Sequence, residues 1–547
     1  MLASQSHEAV NNAAESVLAL FRRSSGDPSI LRVGAEGALS DRLLPYHTER
    51  VELLFKDRFR AQQSERLRIA GVALGLPGGL VDEIIFVETA VRPVCERIAE
   101  LTDSADSDPS RLDGLRQTLR AHLTYLGLQN DQTAIDSDIA VFVDDTVAAL
   151  VDRRRAEPGV TAANAARLRS VARLARDFVT SASTAQRSFE PFLAGTRQIV
   201  AGTCVGLGRP SLGLTSTPFD LVIVDEAARC TASELSVPLQ AGRWIILVGD
   251  QAQLEPLHKP EVVQLVGART EFAKAEIIRS DFDRVFATAY GVVAGKRLKT
   301  QYRMLPAIGR LVSDTFYPEI KLEHGRDVPE VDPSVLPSDL GVPLNWIATD
   351  SLGEEGYEGL EAGGTSRINR VEADCILSLL TRWYEHEPFR AWLTTQTKHQ
   401  HGVGVICMYA AQRDHLRNRL LKAPHGDSLL RHVKIDTVDS YQGKENPIVV
   451  LSLVRNNADG PQQSGVATVR QGFLSRSNRI NVSISRAMDR LVIVGANTRW
   501  PLGGPMRRLA DNFAKVLGES DAALIHACDL LAVKKDAPRT KKKSERV

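Results

Sequence analysis

Several things are scarce in these 547 residues, and each scarcity removes a class of protein. No apolar run approaches the roughly 18 residues that a membrane-spanning helix needs. The opening "MLASQSHEAVNN" lacks the basic stretch and apolar block of a secretory leader. Cysteine is sparse: Cys95, Cys204, Cys230, Cys375, Cys407 and Cys528 lie far apart, and none has CxxC spacing. A reduced, cytoplasmic setting is expected, with neither a disulfide framework nor a zinc site. Net charge is nearly absent, at +1. The tail "KKDAPRTKKKSERV" alone carries +5, which leaves the remainder at −4. Bulk charge therefore does not mark a nucleic-acid binder, and any such claim must rest on local motifs. The tail is read as a solvated end that offers a site for a protein or nucleic-acid partner.

What is present is a globular composition, 43% hydrophobic and 25% charged. At this length two or three domains are expected. Residues 46–190 are polar, Arg-rich and helical in period; Leu168, Val171, Ala172, Ala175, Phe178 and Val179 fall on one helical face. Pro93 and the turn "LGLPGG" divide this stretch into several helices. Elsewhere short β-branched runs each lead into a loop: "LVIV" to Asp225, "WIILV" to Gly249, "VGVICM" to Tyr409, "IVVLSLV" to Arg455 and "LVIV" to Gly495. Continuous apolar runs of this length suit strands of a parallel sheet covered on both faces by helices. Ligands of such sheets bind beyond the carboxyl ends of the strands, where the charged residues of this sequence lie. The stretch "SLGEEGYEGLEAGGTSR" reads as a linker between two α/β domains.

In "FDLVIVDEAARC" the adjacent acids Asp225 and Glu226 close a buried strand. A carboxylate there can hold Mg2+ and its neighbour can polarise an attacking water, although two acids at a strand end are often only a solvated terminus. "ILVGDQAQLEP" adds a second strand end with Gly249, Asp250 and Gln253. Glycine permits close backbone approach, and an amide can donate to phosphate while orienting water. "LKTQYRMLPAIG" offers Tyr302 for stacking on a base and Arg303 as a planar phosphate fork. Further on, Glu445 sits in a Gly-containing loop, and Arg479 and Arg486, seven apart, are expected on one helical face.

In this order, "VDEAA", "GDQAQLEP", "QYRM", "VDSYQGKE" and "NVSISRA" resemble motifs II to VI of superfamily 1 helicases of the Upf-like group, over roughly residues 203 to 496. The resemblance implies two RecA-like parallel-sheet domains and ATP with Mg2+ as cofactors. Asp225 would hold the metal, Glu226 the water, and Gln253 would sense the γ-phosphate. Arg303 and Arg486 would be arginine fingers and Tyr302 an adenine stacker. Glu445, Gly249 and Asp250 would complete the nucleotide site. "VAGTCVG" and "SQSHEAVNN" resemble motifs that touch the nucleic-acid backbone, with Thr203 and Ser6 as the contacts, and Ser440 of "VDSYQGKE" joins them; "MYAAQ" (408–412) resembles the first motif of the second domain. The implied partner is single-stranded DNA or RNA, tracked 5′ to 3′, with no membrane involved.

One element of that family is missing from these residues: no GxxxxGK[ST] phosphate loop occurs, and "VVAGKRLKT" lacks the paired glycines. Such a loop cradles the β- and γ-phosphates with backbone N–H groups and a lysine. The expectation is an ATP-dependent helicase or translocase whose chain starts before motif Ia, with Met1 inside a strand. The first domain would then lack its phosphate-loop strand and expose a sheet edge. The division expected is residues 1–45 as a partial first RecA-like domain and 46–190 as a helical insertion. Residues 191–350 would complete the first domain, 351–367 link, 368–515 form the second domain, and 516–547 form a C-terminal segment. The alternative is a non-catalytic nucleic-acid-binding scaffold descended from a helicase.

Overall fold

The computed structural model of the chain describes residues 1–24, 26–102, 109–128, 139–183, 190–214, 218–361, 363–441 and 443–532, with the side chains of 60 and 178–183 left out. The basic tail from 534 onward lies outside the described residues. The chain folds as two compact units, one of Met1–Leu2 and Asn11–Asp220, the other of Ala3–Val10 and Leu221–Val547.

The first unit joins a short parallel strand pair to a helical body. Its strands are Ile30–Arg32 and Ile199–Thr203, in register from Ile30 opposite Ile199. Between them run Thr48–Ala73, Gly78–Phe86, Arg92–Thr102, Pro109–Tyr125, Ile139–Arg153 and Ala162–Ser183. These helices close on a core of their own, with Leu80, Val81, Ile84, Val87, Val91, Val143, Leu150 and Leu168 buried. Burying side chains of this size contributes about 1.5–3 kcal/mol each, which holds the bundle against its arginine-rich exterior. Of the periodic face read from the sequence, Leu168 and Ala172 are buried and Ala175 packs on the core. Val171 turns outward, and Phe178 and Val179 lie outside the described side chains. A π-turn at Val87–Val91 brings Glu88 inside, where Arg92 Nε donates to it at 2.7 Å and Arg169 Nε at 2.8 Å. Two guanidiniums on one buried carboxylate supply the partners that a buried charge requires.

The strands that lie wholly or mostly in the second unit are numbered β1 (Leu2–Ser4), β2 (Phe219–Asp225), β3 (Gly242–Leu247), β4 (Leu344–Ala348), β5 (Val403–Cys407), β6 (Val433–Thr437), β7 (Asn446–Ser452), β8 (Ala487–Gly495) and β9 (Ala522–His526). β1, β2 and β3 are neighbours in that order, and β3 ends the sheet. The remaining six form a sheet of order β6-β5-β7-β8-β4-β9, parallel throughout. Alternate residues face opposite cores. Val449, Leu451, Leu491 and Ile493 join Trp346, Trp500 and Phe513, whereas Ile448, Val450, Val492 and Val494 join Trp383 and Phe389. Burial on both faces is the reason these strands read as unbroken apolar runs.

The structure departs from the sequence division in three places. β4 falls within 191–350, assigned above to the first domain, yet it pairs in parallel with β8 and β9 of the six-stranded sheet. "LNWIA" is buried at every position, so only a site with neighbours on both edges and both faces accommodates it. β9, from the C-terminal segment, closes the same sheet. The stretch 351–367 is no bare linker: turns over Asp350–Gly356 lead to an antiparallel pair, Gly359–Leu360 with Arg367–Ile368. Buried Glu358 anchors this stretch through Arg455 at 2.9 Å.

Candidate functional site

β2 delivers Asp225 at its carboxyl end, and the chain then turns sharply. Glu226 has φ 53°, a left-handed conformation that a residue with a Cβ adopts at a cost of order 1 kcal/mol or more. Its N–H donates to Asp225 Oδ1 at 3.0 Å. Burial pushes the Asp225 carboxyl above the ordinary range, and this hydrogen bond opposes it. The loop after β3 packs on this turn: Val248 N donates to Val224 O at 2.8 Å and Ala227 N to Val248 O at 2.8 Å. A Cβ on Gly249 would lie 2.8 Å from Ala228 N, so the close approach read from the sequence is physically required here.

From that loop a hydrogen-bonded chain runs inward. Asp250 accepts from Ala252 N and Gln253 Nε2, both at 2.9 Å, and from Tyr317 Oη at 2.5 Å. Gln253 Oε1 in turn accepts from Arg486 Nη2 at 2.9 Å. The two ends of the Gln253 amide are thus committed to different partners, which fixes its orientation. Asn481 Nδ2 donates to Tyr317 Oη at 2.7 Å and to Ala252 O at 2.9 Å. Burial, helped by Asp250, drives the Tyr317 phenol far above its usual range, so it serves as a fixed donor.

Arg486 is 1% exposed, and its Nε has no hydrogen-bond partner. Burial first, then the nearby Arg303 cation, push it down to about 10, with Glu226 and Glu445 opposing. It therefore stays charged at neutral pH. Arg303 Nε donates to Glu445 Oε2 at 2.6 Å and its Nη1 to Ser485 O at 3.3 Å. Two guanidiniums held close together, Arg486 buried and Arg303 partly exposed, favour an incoming anion. Gln301, the glutamine of "QYRM", accepts from Arg303 N at 3.0 Å and Met304 N at 2.7 Å and so shapes the loop.

The structure brings together Asp250, Gln253 and Arg486 in one chain, with Arg303 and Glu445 paired beside it. Tyr302 stands apart from this chain at 70% exposure, its ring lying on Gly325, where a Cβ would come within 2.2 Å of it. The expectation that Arg479 and Arg486 share a helical face is corrected. The helix Ser477–Ile484 ends before Arg486, and Arg479 makes a two-pronged pair with Asp439 at 3.1 and 2.8 Å. Tyr317, Asn481 and Gln301 were missed as site residues. Asn481 and Gln301 sit inside quoted motifs, but "DTFYPE" carries no signal for Tyr317.

The three hydroxyls read as nucleic-acid contacts each begin or follow a turn. Ser6 Oγ accepts from Ala9 N at 3.2 Å at the start of the helix His7–Arg23, and Thr203 caps Cys204–Leu207 by accepting from Gly206 N at 3.1 Å. Ser440 is exposed, 3.4 Å from Thr437 Oγ1. Helix starts of this kind present N–H groups toward an anion. Glu8, in the first turn after Ser6, pairs with Lys444 at 3.8 Å.

For Mg2+, the described residues contain no group of three His, Cys, Asp or Glu side chains placed to share a metal. Asp225 stands at the carboxyl end of β2 as a carboxylate of the kind that can hold Mg2+ together with water and phosphate oxygens. No described helix is long and apolar enough to cross a membrane.

Comparison with known proteins gives matches to two family models, both described as AAA domain, over residues 1–260 and 277–498. The regulator of nonsense transcripts 1 homolog of Neurospora crassa is 32% identical over 313 residues, covering 56% of this chain and 25% of the relative. Its Arabidopsis thaliana counterpart is 29% identical over 315 residues, covering 57% and 22%. The ATP-dependent helicase NAM7 of Saccharomyces cerevisiae is 30% identical over 325 residues, covering 57% and 29%. The chain thus matches less than a third of the length of each of these relatives.

Proposed function

We propose that this chain, which belongs to the Upf-like superfamily 1 helicases, forms the motor part of an ATP-dependent translocase that moves along single-stranded DNA or RNA. One observation carries the reading. Asp250 and Gln253 after β3, Arg303 before the helix Pro306–Phe316, Glu445 before β7 and Arg486 before β8 converge in a single polar cluster. An inert scaffold has no chemical need for two adjacent guanidiniums held by an amide and a carboxylate.

Bound magnesium would supply charge neutralisation of the phosphates and orientation of their oxygens. Asp225 would hold it, and Glu226 would take a proton from the attacking water. Gln253 and Arg486 hold each other until a γ-phosphate competes for both. Arg303, held by Glu445, is the second cation for the developing charge. Tyr302 offers a free ring to the adenine, and Gly249 lets the backbone approach. Ser6, Thr203 and Ser440 take the nucleic-acid backbone. Polarity is 5′ to 3′, the setting is cytoplasmic, and the basic tail recruits a protein partner. The division of labour is a first RecA-like domain (1–45 and 191–350, less β4), a helical insertion (46–190) and a second RecA-like domain (368–515, with β4 and β9 added).

The missing GxxxxGK[ST] pattern favours a second reading, a nucleic-acid-binding scaffold without turnover. Strand-stimulated phosphate release separates the two. These 547 residues are expected to release little. The same chain joined behind a strand, phosphate loop and helix is expected to turn over ATP, and Glu226→Gln to abolish that. Robust hydrolysis by the 547 residues alone overturns the assignment of the phosphate grip to a separate loop, and an inactive joined chain establishes the scaffold.

A further inference from the structure

Two lysines that the nucleotide chemistry does not use crowd one another beside β6. Lys434, the second residue of that strand, is half-buried and lies opposite Gly404 of β5. A Cβ on Gly404 would collide with Tyr441 Oη, so the Tyr441 side chain crosses the strand pair at this point. Tyr441 is fully buried and donates to Asn446 Oδ1 at 2.9 Å, which makes its ring a fixed wall. Lys434 Nζ stands 5.2 Å from the centroid of that ring.

Lys444, from the loop after Tyr441, brings its Nζ within hydrogen-bonding reach of Lys434 Nζ. Two ammonium groups have only donors to offer each other, so this contact requires a free lone pair on one nitrogen. Glu8 Oε2 lies 3.8 Å from Lys444 Nζ, which makes Lys444 the donor and Lys434 the acceptor. His401 and His432, the last residue of the helix Gly426–His432, complete the group; burial first, then Lys434, His432 and Lys444, hold His401 below its ordinary range. The helix Ala410–Leu421 adds Arg413, 3.9 Å from Asp436, and Arg417, which donates to Ile435 O at 2.6 Å. Asp439 is committed to Arg479. Asp436, Glu8 and the face of the Tyr441 ring favour the charged form of Lys434, yet burial first and Lys444 next push it down to about 8. A half-buried amine beside a second amine is the setting that makes lysine a nucleophile near neutral pH.

We propose that Lys434 is an acylation site for small acyl phosphates, with Lys444 assisting the leaving group. Lys434 Nζ attacks the carbonyl carbon; the C–N bond forms, and the C–O bond to phosphate breaks with its electron pair on the phosphate. The proton lost by the amine ends on the phosphate, which leaves as the monohydrogen dianion. Lys444, next to the attacking nitrogen, is placed to relay that proton. The amide product is uncharged, which ends the competition of two amines for one proton. Neither residue nor reaction enters the motor reading.

The test incubates the full chain with acetyl phosphate from about pH 6.5 to 10, cuts it with a protease that spares lysine, and quantifies acetyl-lysine by mass spectrometry. Near pH 7.5 Lys434 is expected to react about tenfold faster than the exposed Lys296. Its rate should level off above about pH 8, where an ordinary lysine still climbs. Lys444→Gln should slow Lys434 about fivefold or more near pH 7.5 and leave Lys296 in the same digest unchanged. Lys444→Arg, which keeps a cation and a donor, should react within about twofold of wild type. Lys434 reacting no faster than Lys296, or at an unchanged rate in Lys444→Gln, overturns the proposal.

Discussion

Glu372 shows how far a single residue can sit from solution behaviour. It lies in the first turn of the helix Arg370–Glu385 and is fully buried; its Oε2 accepts from Ser452 Oγ at 2.7 Å and from Val454 N at 2.8 Å. Val454 has φ 68°, unusual for a β-branched residue, so the buried acid satisfies the N–H of a strained backbone. Burial pushes Glu372 from 4.5 up to about 8; the nearby Glu358 adds to the rise, and the two hydrogen bonds oppose it. Between those values the folded chain keeps a proton that the unfolded chain has released. Stability therefore falls as pH rises through that window, by at most about 1.4 kcal/mol per unit from this group. Glu372→Gln removes the titration. Urea unfolding measured from about pH 5 to 8 should show a flatter profile in the variant than in the wild type, and parallel profiles would refute the assignment.

At the scale of elements, β3 is the exposed one. Arg243, Trp244, Ile245 and Ile246 are all exposed, Trp244 at 71%, so this terminal strand is uncovered on both faces. An apolar edge strand invites pairing with another chain. The double change Trp244→Lys and Ile246→Lys, two residues apart and hence on one face, should suppress self-association in light scattering. Its effect on the unfolding free energy should stay within about 0.5 kcal/mol per site, because neither side chain is packed. Loss of several kcal/mol would mean that β3 is covered in solution. The same strand marks the limit of what is legible in the sequence. "WIILV" announces a strand buried on both faces, and its sequence is correct for one. The exposure itself is not legible, since no residue of β3 encodes which strands lie beside it. The sequence division puts β4 in the wrong sheet because a strand's composition reports its burial and not its partners. Asp225, Gly249, Gln253 and Arg486 can be picked from motif order. Tyr317, by contrast, enters the site through tertiary packing between sequence-distant loops, which leaves no periodic or compositional trace.

For the whole molecule, the separate cores of the two units set how it should unfold. The helical body encloses its own buried residues, among them Leu150 and Leu168, while Trp346, Trp383 and Trp500 are buried in the six-stranded sheet's cores. All five tryptophans of the chain, at 244, 346, 383, 392 and 500, belong to the second unit. Tryptophan fluorescence therefore reports that unit alone, whereas far-ultraviolet circular dichroism is weighted toward the helices. Leu150→Ala removes a fully buried side chain from the helical core and should cost that core about 2–5 kcal/mol. The share of the helical signal that the first unit supplies is expected to melt at lower denaturant, splitting the dichroism transition, and the fluorescence midpoint to stay where it is. Domains with distinct cores need not unfold as one two-state system, and a mutation confined to one core then shifts one transition. If fluorescence and dichroism instead shift together, the chain unfolds as a single cooperative body. If they separate, each core unfolds on its own.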